Sequence, residues 1–252
     1  MSAIVVIPAR LQSSRLPRKI LAEIGGKPLV QRIYESVQKS SQAEEIYLAI
    51  DSEETAAVLD KIGAEYIMTE PDLPSGTARI ASLMDKLPYE YIVNVQGDMP
   101  YIQTELLDNI IKELNKDQAD VVTPVWPLTE TKELQDSNVV KVVRDPQGWA
   151  HYFSRSPVPF VRDAEIEMWT QKFRFWGHYG IYAYRRKVLE DIAAGRIPAS
   201  PLEEAEKLEQ LGFLDAGYTI KTIETEYREI SVNTSEELES VRGIFEKGGF
   251  GI

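Results

Sequence analysis

Short apolar runs alternate with helical stretches four times over residues 1–125. This rhythm restricts the chain to a few layered α/β architectures, because each strand must be covered by the helices that flank it. Residues 3–9 form the first run, which is β-branched and continuous rather than alternating, as in a strand buried on both faces. Residues 46–50, 66–68, 91–95 and 121–125 read as further strands. Pro28 fits the first turn of a helix that puts Leu29, Ile33, Tyr34 and Val37 on one face. Ser52 caps a second helix with Glu53 and Glu54 in its first turn. A third is expected from Thr77 through Asp85 and a fourth from Thr104. The fold class is therefore α/β, a doubly wound, mostly parallel sheet, with ligands expected outside the carboxyl ends of its strands.

The second half reads differently. Residues 139–143 and 149–153 look like two strands around the turn Asp145-Pro146-Gln147-Gly148. Trp169, Phe173, Phe175, Trp176, Tyr179, Tyr182 and Tyr184 follow, a density that points to core or a subunit interface, with a strand within residues 175–184. Residues 201–214 read as one amphipathic helix whose Glu203, Glu204, Glu206 and Glu209 form a mostly solvated face, with Glu206 and Glu209 able to project together. A last helix begins near Ser235, capped by Thr234 or Ser235, and the Gly-rich residues 247–252 are expected to fray. No repeat or flexible linker divides the chain, so residues 1–252 are read as one domain.

Charge locates a candidate site. Arg10, Arg15, Arg18 and Lys19 crowd the loop after the first strand of a chain whose net charge is -12. Residues 1–32 hold six Lys/Arg against one acid, Glu23, a local balance of +5 that leaves -17 for the remainder. A cationic loop at the carboxyl end of a buried strand suits a phosphate chain, and Ser13 and Ser14 add hydroxyl donors. The loop is neither a Walker A sequence nor a dinucleotide Gly-rich turn. The acidic remainder argues against nucleic acid as partner. The absence of cysteine excludes disulfides and thiol chemistry. No apolar run reaches the roughly 18 residues of a membrane span, and the start of the chain lacks a signal-peptide pattern, so the expected location is cytoplasmic.

Asp98, just past the strand 91–95, lies on the same rim as the cationic loop and suits Mg²⁺, which borrows most of its ligands from a phosphate substrate. In Ser75-Gly76-Thr77 the glycine allows a ligand close to the backbone, and Thr77 can also cap the helix. His151 and His178, the two histidines, read as packed or hydrogen-bonded rather than as metal ligands. No serine sits in a nucleophile elbow.

Taken in order, I-P-A-R, S-x-R-L-P-x-K, S-G-T, N-V-Q-G-D, N-x-V-K-V-V, Y-F-S-R-S-P-x-P, H-x-G-I-Y-x-Y, S-P-L-E-x-x-E-x-L-E-Q-L and V-x-T-x-E-x-L resemble the bacterial 3-deoxy-manno-octulosonate (Kdo) cytidylyltransferases from residue 4 to about residue 242. The resemblance implies a nucleotide-diphospho-sugar transferase-like nucleotidyltransferase fold, Mg²⁺ and a homodimer. It divides the chain into a nucleotide-binding half, 1–125, and a sugar-binding and dimerisation half, 126–252. It implies that CTP activates an eight-carbon ulosonic acid for lipopolysaccharide or capsule synthesis, with neither nucleic acid nor membrane as partner. It puts Arg10, Ser14, Arg15 and Lys19 on the triphosphate, with Arg15, Lys19 and Asp98 catalytic. Ser75, Gly76, Thr77 and Gln96 would surround cytosine and ribose. Asp98 and Asn233 would meet the metal, and Arg155, His178, Tyr182, Glu206 and Gln210 the sugar acid.

The chain departs from the family pattern at four positions. Met99 stands for a glutamate, Asn233 for an aspartate, Gly212 for an arginine and Arg18 for a glycine. These departures leave room for a related sugar such as 8-amino-Kdo, or for a weakly active or non-catalytic nucleotide-binding homologue. A sugar-nucleotide glycosyltransferase is a further alternative, but Val95-Gln96-Gly97-Asp98 lacks the second carboxylate of its D-x-D.

Overall fold

The computed structural model describes residues 3–13 and 15–248; Ser14 and the end of the Gly-rich tail lie outside them. Strand β1 (Ala3–Ala9) is buried along its whole length. Its Ala3, Val5, Ile7 and Ala9 enter one core cluster and Ile4 and Val6 another, the period-two division of a strand covered on both faces. Each fully buried Val or Ile there contributes about 1.5–3 kcal/mol. After β1 the cationic loop runs through a 3-10 turn at Lys19–Leu21 into the small hairpin β2 (Glu23–Ile24) and β3 (Lys27–Pro28). Helix α1 (Leu29–Val37) follows, with Pro28 as its N-cap residue rather than in its first turn.

Next come β4 (Ala43–Ile50), α2 (Glu53–Asp60), β5 (Tyr66–Met68), α3 (Gly76–Ala81), β6 (Tyr91–Asn94), α4 (Thr104–Leu114) and β7 (Val121–Leu128). Helix α2 is capped by Ser52, whose Oγ accepts from Glu54 N–H at 3.1 Å. Helix α3 differs from expectation. Ser75 is its N-cap, accepting from Ala78 N–H at 3.0 Å, and Thr77 lies inside the first turn with a buried side chain.

The second half adds α5 (Thr131–Gln135), β8 (Lys141–Arg144), β9 (Ala150–Ser154), α6 (Trp169–Lys172), β10 (Phe175–His178), β11 (Tyr182–Arg185), α7 (Arg186–Ala193), α8 (Pro201–Glu206), α9 (Glu209–Asp215), β12 (Ile220–Glu224) and α10 (Ser235–Glu246). Residues 175–184 hold two strands, separated at residues 179–181. Residues 201–214 form two helices, because Lys207 adopts the left-handed conformation (φ 54°) and stops α8. Most of the aromatic run is buried, Phe173 being the exposed exception.

The strands form one mixed sheet in the order β5-β4-β1-β6-β11-β7-β10-β8-β9, with β12 beside β7. Strands β1, β4, β5, β6, β7, β8 and β12 run one way and β9, β10 and β11 the other. Inserting β11 between β6 and β7 locks the second half into the first. A third cluster of Ile24, Leu29, Val232, Leu238 and Val241 seats α10 against the β2–β3 hairpin and so brings Asn233 to the cationic loop. No helix among the described residues is long and apolar enough to cross a membrane.

Candidate active site

The carboxyl ends of β1 and β6 open onto a cleft of about 210 Å³, whose lining includes Arg10, Arg15, Lys19, Ser75, Gly76, Gln96, Asp98 and Asn233. Two close approaches shape it. A Cβ on Gly97 would lie 2.6 Å from the Pro8 carbonyl oxygen, so only glycine lets β6 turn across the end of β1. Opposite, Gly76 at the start of α3 lies against the Gln96 amide.

Charge alternates along the floor. Lys19 Nζ reaches Asp98 Oδ2 at 2.8 Å and Asn233 Oδ1 at 3.0 Å, and Arg15 Nη2 donates to the same Asn233 oxygen at 3.0 Å. Asn233 is oriented by its own amide, which donates to Ser231 Oγ at 3.0 Å. Val232 N–H donates to the Asp98 carbonyl at 2.8 Å, fixing one acid-bearing loop to the other. Arg10 and Arg15 remain exposed at the mouth. Arg18 points elsewhere and pairs with Glu54. Its φ of 59° is left-handed, so the position keeps the backbone that a glycine would favour. Buried Arg79 also lines the cleft and is bonded to Asp51, Thr69 and the Glu70 carbonyl.

The residues that the resemblance puts on the sugar acid lie outside the lining of this cleft and fall into two groups. His178 Nε2 meets Thr123 Oγ1 at 3.0 Å, and burial pushes its pKa down to about 3, so the ring is neutral. The rings of His178 and Tyr182 lie 5.3 Å apart, and Tyr182 OH donates to Gln210 Oε1 at 3.0 Å. Gln210 Nε2 is buried without a partner. Arg155 and Glu206 form the second group. Glu206 accepts from Ser154 Oγ at 2.7 Å and from Arg155 N–H at 2.9 Å. The Arg155 guanidinium donates to the carbonyls of Ser137, Glu206 and Lys207. These three bonds leave one N–H on each Nη of Arg155 uncommitted among the described residues. His151, expected to be packed or hydrogen-bonded, is exposed on β9 rather than packed.

Three groups are missed by sequence reasoning. Glu229 Oε2 accepts from Gly180 N–H at 2.7 Å, between His178 and Tyr182. Burial, reinforced by Asp98, raises its pKa to about 7 against the pull of that N–H. Fully buried Lys141 donates to the carbonyls of Asp136 at 2.9 Å and Val139 at 2.6 Å, and burial lowers its pKa to about 8. Glu209 does not face solvent as a helix-surface acid. It accepts from Thr77 Oγ1 at 2.7 Å, and burial raises its pKa while the Thr77 and Ser75 hydroxyls oppose the rise. Met99 is core, and the Glu203 carboxylate fills the space a side chain on Gly212 would enter.

A family model described as Cytidylyltransferase matches residues 4–223. The chain is 41% identical over 254 residues to a 3-deoxy-manno-octulosonate cytidylyltransferase of Chlorobium luteolum, covering 98% of each. It is 43% identical to that of Chlorobaculum tepidum, covering 97% of this chain and 98% of the relative. Among solved structures, CMP:2-keto-3-deoxy-manno-octonic acid synthetase complexed with CTP superposes with a TM-score of 0.91 at 36% identity, over 98% of this chain and 100% of the other.

Proposed function

Because this chain belongs to the 3-deoxy-manno-octulosonate cytidylyltransferases, we propose that its strand-end cleft joins CTP to Kdo, giving CMP-Kdo and pyrophosphate. The anomeric hydroxyl oxygen of the sugar forms a bond to the α-phosphorus, and the α–β bridging P–O bond breaks. Pyrophosphate leaves with the electron pair, and the hydroxyl proton passes to solvent. The observation that carries this reading is the meeting of Arg10, Arg15 and Lys19 with Asp98 and Asn233 in one cleft. Phosphoryl transfer needs little covalent help from a protein; it needs positioning and compensation of charge on phosphate oxygens. Arg15 and Lys19 supply that compensation, and both donate to Asn233 Oδ1. Ser75, Gly76 and Gln96 receive the nucleoside, and His178, Tyr182 and Gln210 the sugar acid. Thr77 supports the nucleoside wall from behind rather than touching the ligand. Cytoplasmic location follows from the nucleotide substrate.

Mg²⁺ belongs to this reading, and the donor set fits it. Asp98 Oδ2 and Asn233 Oδ1 already converge on one positive charge, the Lys19 ammonium, at 2.8 and 3.0 Å. One carboxylate and one amide oxygen, completed by phosphate oxygens and water, is a set Mg²⁺ accepts. No cluster of three or more His, Cys, Asp or Glu suited to a metal occurs among the described residues. Bound there, the ion would neutralise charge on the phosphates. Lys19→Ala and Asp98→Asn are each expected to lower kcat/KM for CTP by roughly ten- to a thousandfold, the scale of one lost charge-assisted contact in a desolvated site. Steady-state pyrophosphate release measures it; folded variants that keep the wild-type value would overturn the assignment.

A further inference from the structure

The Glu209 carboxylate heads a hydrogen-bond chain that ends at the cleft. Its Oε1 accepts from Thr77 Oγ1 at 2.7 Å, and a hydroxyl has one proton to give. With that proton committed, Thr77 Oγ1 can only accept from its other neighbours, Asn94 Nδ2 at 3.4 Å and the Tyr184 hydroxyl at 3.2 Å. The Asn94 amide is thereby turned with its NH₂ toward Thr77, and its Oδ1 accepts from Gln96 Nε2 at 3.2 Å. Gln96 spends one N–H of its NH₂ inward and holds Oε1 nearer Gly76, where a Cβ would lie 3.0 Å from Oε1 and 3.5 Å from Nε2. Each direction follows from the one before, and the first is fixed because a carboxylate accepts and does not donate. Thr77 and Asn94 are buried, so water does not relax the order.

The two ends of a glutamine amide are nearly identical in shape and opposite in hydrogen bonding. Shape alone would let Gln96 present either end to a ligand; the chain behind it selects the carbonyl. A carbonyl at the wall suits a pyrimidine edge bearing an exocyclic amino group, as in cytosine. It opposes the oxo group that uracil carries at the same place. We infer that Glu209 is a positioning residue for base selection: acting through Thr77 and Asn94, it holds the Gln96 carbonyl toward the cleft, so that the amino-bearing pyrimidine is taken and its oxo counterpart refused. This rests on the cleft being a CTP site and adds what chooses the base.

The test is nucleotide binding without sugar, by titration calorimetry with CTP and with UTP, on the full chain and three variants. Thr77→Val keeps the shape and removes the hydroxyl. Glu209→Gln puts an amide, able to donate or accept, at the head of the chain. Both are expected to cut the CTP-to-UTP affinity ratio about tenfold or more, since discrimination of this kind depends on an oriented polar group. Thr77→Ser restores the hydroxyl and is expected to keep the ratio. A purely structural role would weaken both nucleotides alike and leave the ratio unchanged. An unchanged ratio in Thr77→Val and Glu209→Gln, or wild-type protein that binds CTP and UTP equally, overturns the inference. If Thr77→Val does not fold, Glu209→Gln decides alone. Wild-type protein that prefers CTP yet releases no pyrophosphate with Kdo would remove the proposed function and leave base selection standing.

Discussion

Glu229 is half-buried, pairs with no cation among the described residues and accepts one backbone N–H, from Gly180. Its folded pKa of about 7 lies above the ordinary 4.5, chiefly through burial. Below pH 4.5 it is protonated in folded and unfolded chain alike. As pH rises toward 7 the unfolded chain ionises it first, so the stability this group contributes is lost across that window. Glu229→Gln removes the titration. Urea melts of the two nucleotide-free proteins should therefore diverge between pH 5 and 8, the wild type losing on the order of 1–2 kcal/mol relative to the variant, once partial exposure is allowed for. Parallel curves would show the carboxyl to be ordinary. Sequence reasoning found Asp98, Lys19 and Arg15 because charges of opposite sign at strand ends stand out against an acidic chain. It missed Glu209 because that residue lies in a Glu-rich helical stretch that reads as a solvated face, and Glu229 because its stretch carries no periodic signal. Only the packing of β11 and α9 against the nucleotide half buries them. Thr77 was seen but given a ligand-facing role; a hydroxyl one residue into a helix turns with the helix, here toward Tyr184 and Glu209.

Among elements, the strands of the first half were legible as short apolar runs, and β1, β4, β5, β6 and β7 all begin or end close to the expected residues, though only β1 and β6 are buried along their whole length. Strand β12 and helix α7 were not singled out, since their residues carry no distinctive signal before β7 and α3 are in place to pack them. The break between α8 and α9 was invisible because Lys207 is an ordinary helix former; its left-handed backbone is imposed by the chain reversal, and its carbonyl is used by Arg155. Arg18 is the counterpart in the loop between β1 and α1, a non-glycine residue at φ 59° and ψ 24°. A left-handed backbone costs an L-residue about 1–2 kcal/mol, and the exposed pair with Glu54 returns little. Arg18→Gly is expected to raise the unfolding free energy by about 1 kcal/mol in equilibrium urea denaturation and to leave CTP binding intact, because Arg18 does not line the cleft. A loss of stability would mean that the Glu54 pair outweighs the backbone cost.

All strands but the β2–β3 hairpin join one continuous sheet whose second half inserts β11 between β6 and β7 and folds α9 and α10 back over the first half. The two halves are thus interleaved: Glu209 reaches Thr77 of α3 while its neighbour Gln210 reaches Tyr182 of β11. The fold class was legible from the alternation of residues 1–125, whereas the interleaving depends on contacts between residues far apart in the chain, such as Asn94 with Tyr182 and Thr77 with Glu209, which periodicity does not record. The four departures from the family pattern leave the cleft assembled. Met99 is core, Arg18 keeps a glycine-like backbone, Glu203 fills the space beside Gly212, and Asn233 still offers an oxygen between Arg15 and Lys19. The most direct test is ³¹P NMR of the purified protein with CTP, Kdo and Mg²⁺. The account predicts a new phosphodiester resonance of CMP-Kdo appearing in step with pyrophosphate, and neither signal when Kdo is withheld. Unchanged CTP, or pyrophosphate released equally without the sugar, would contradict it.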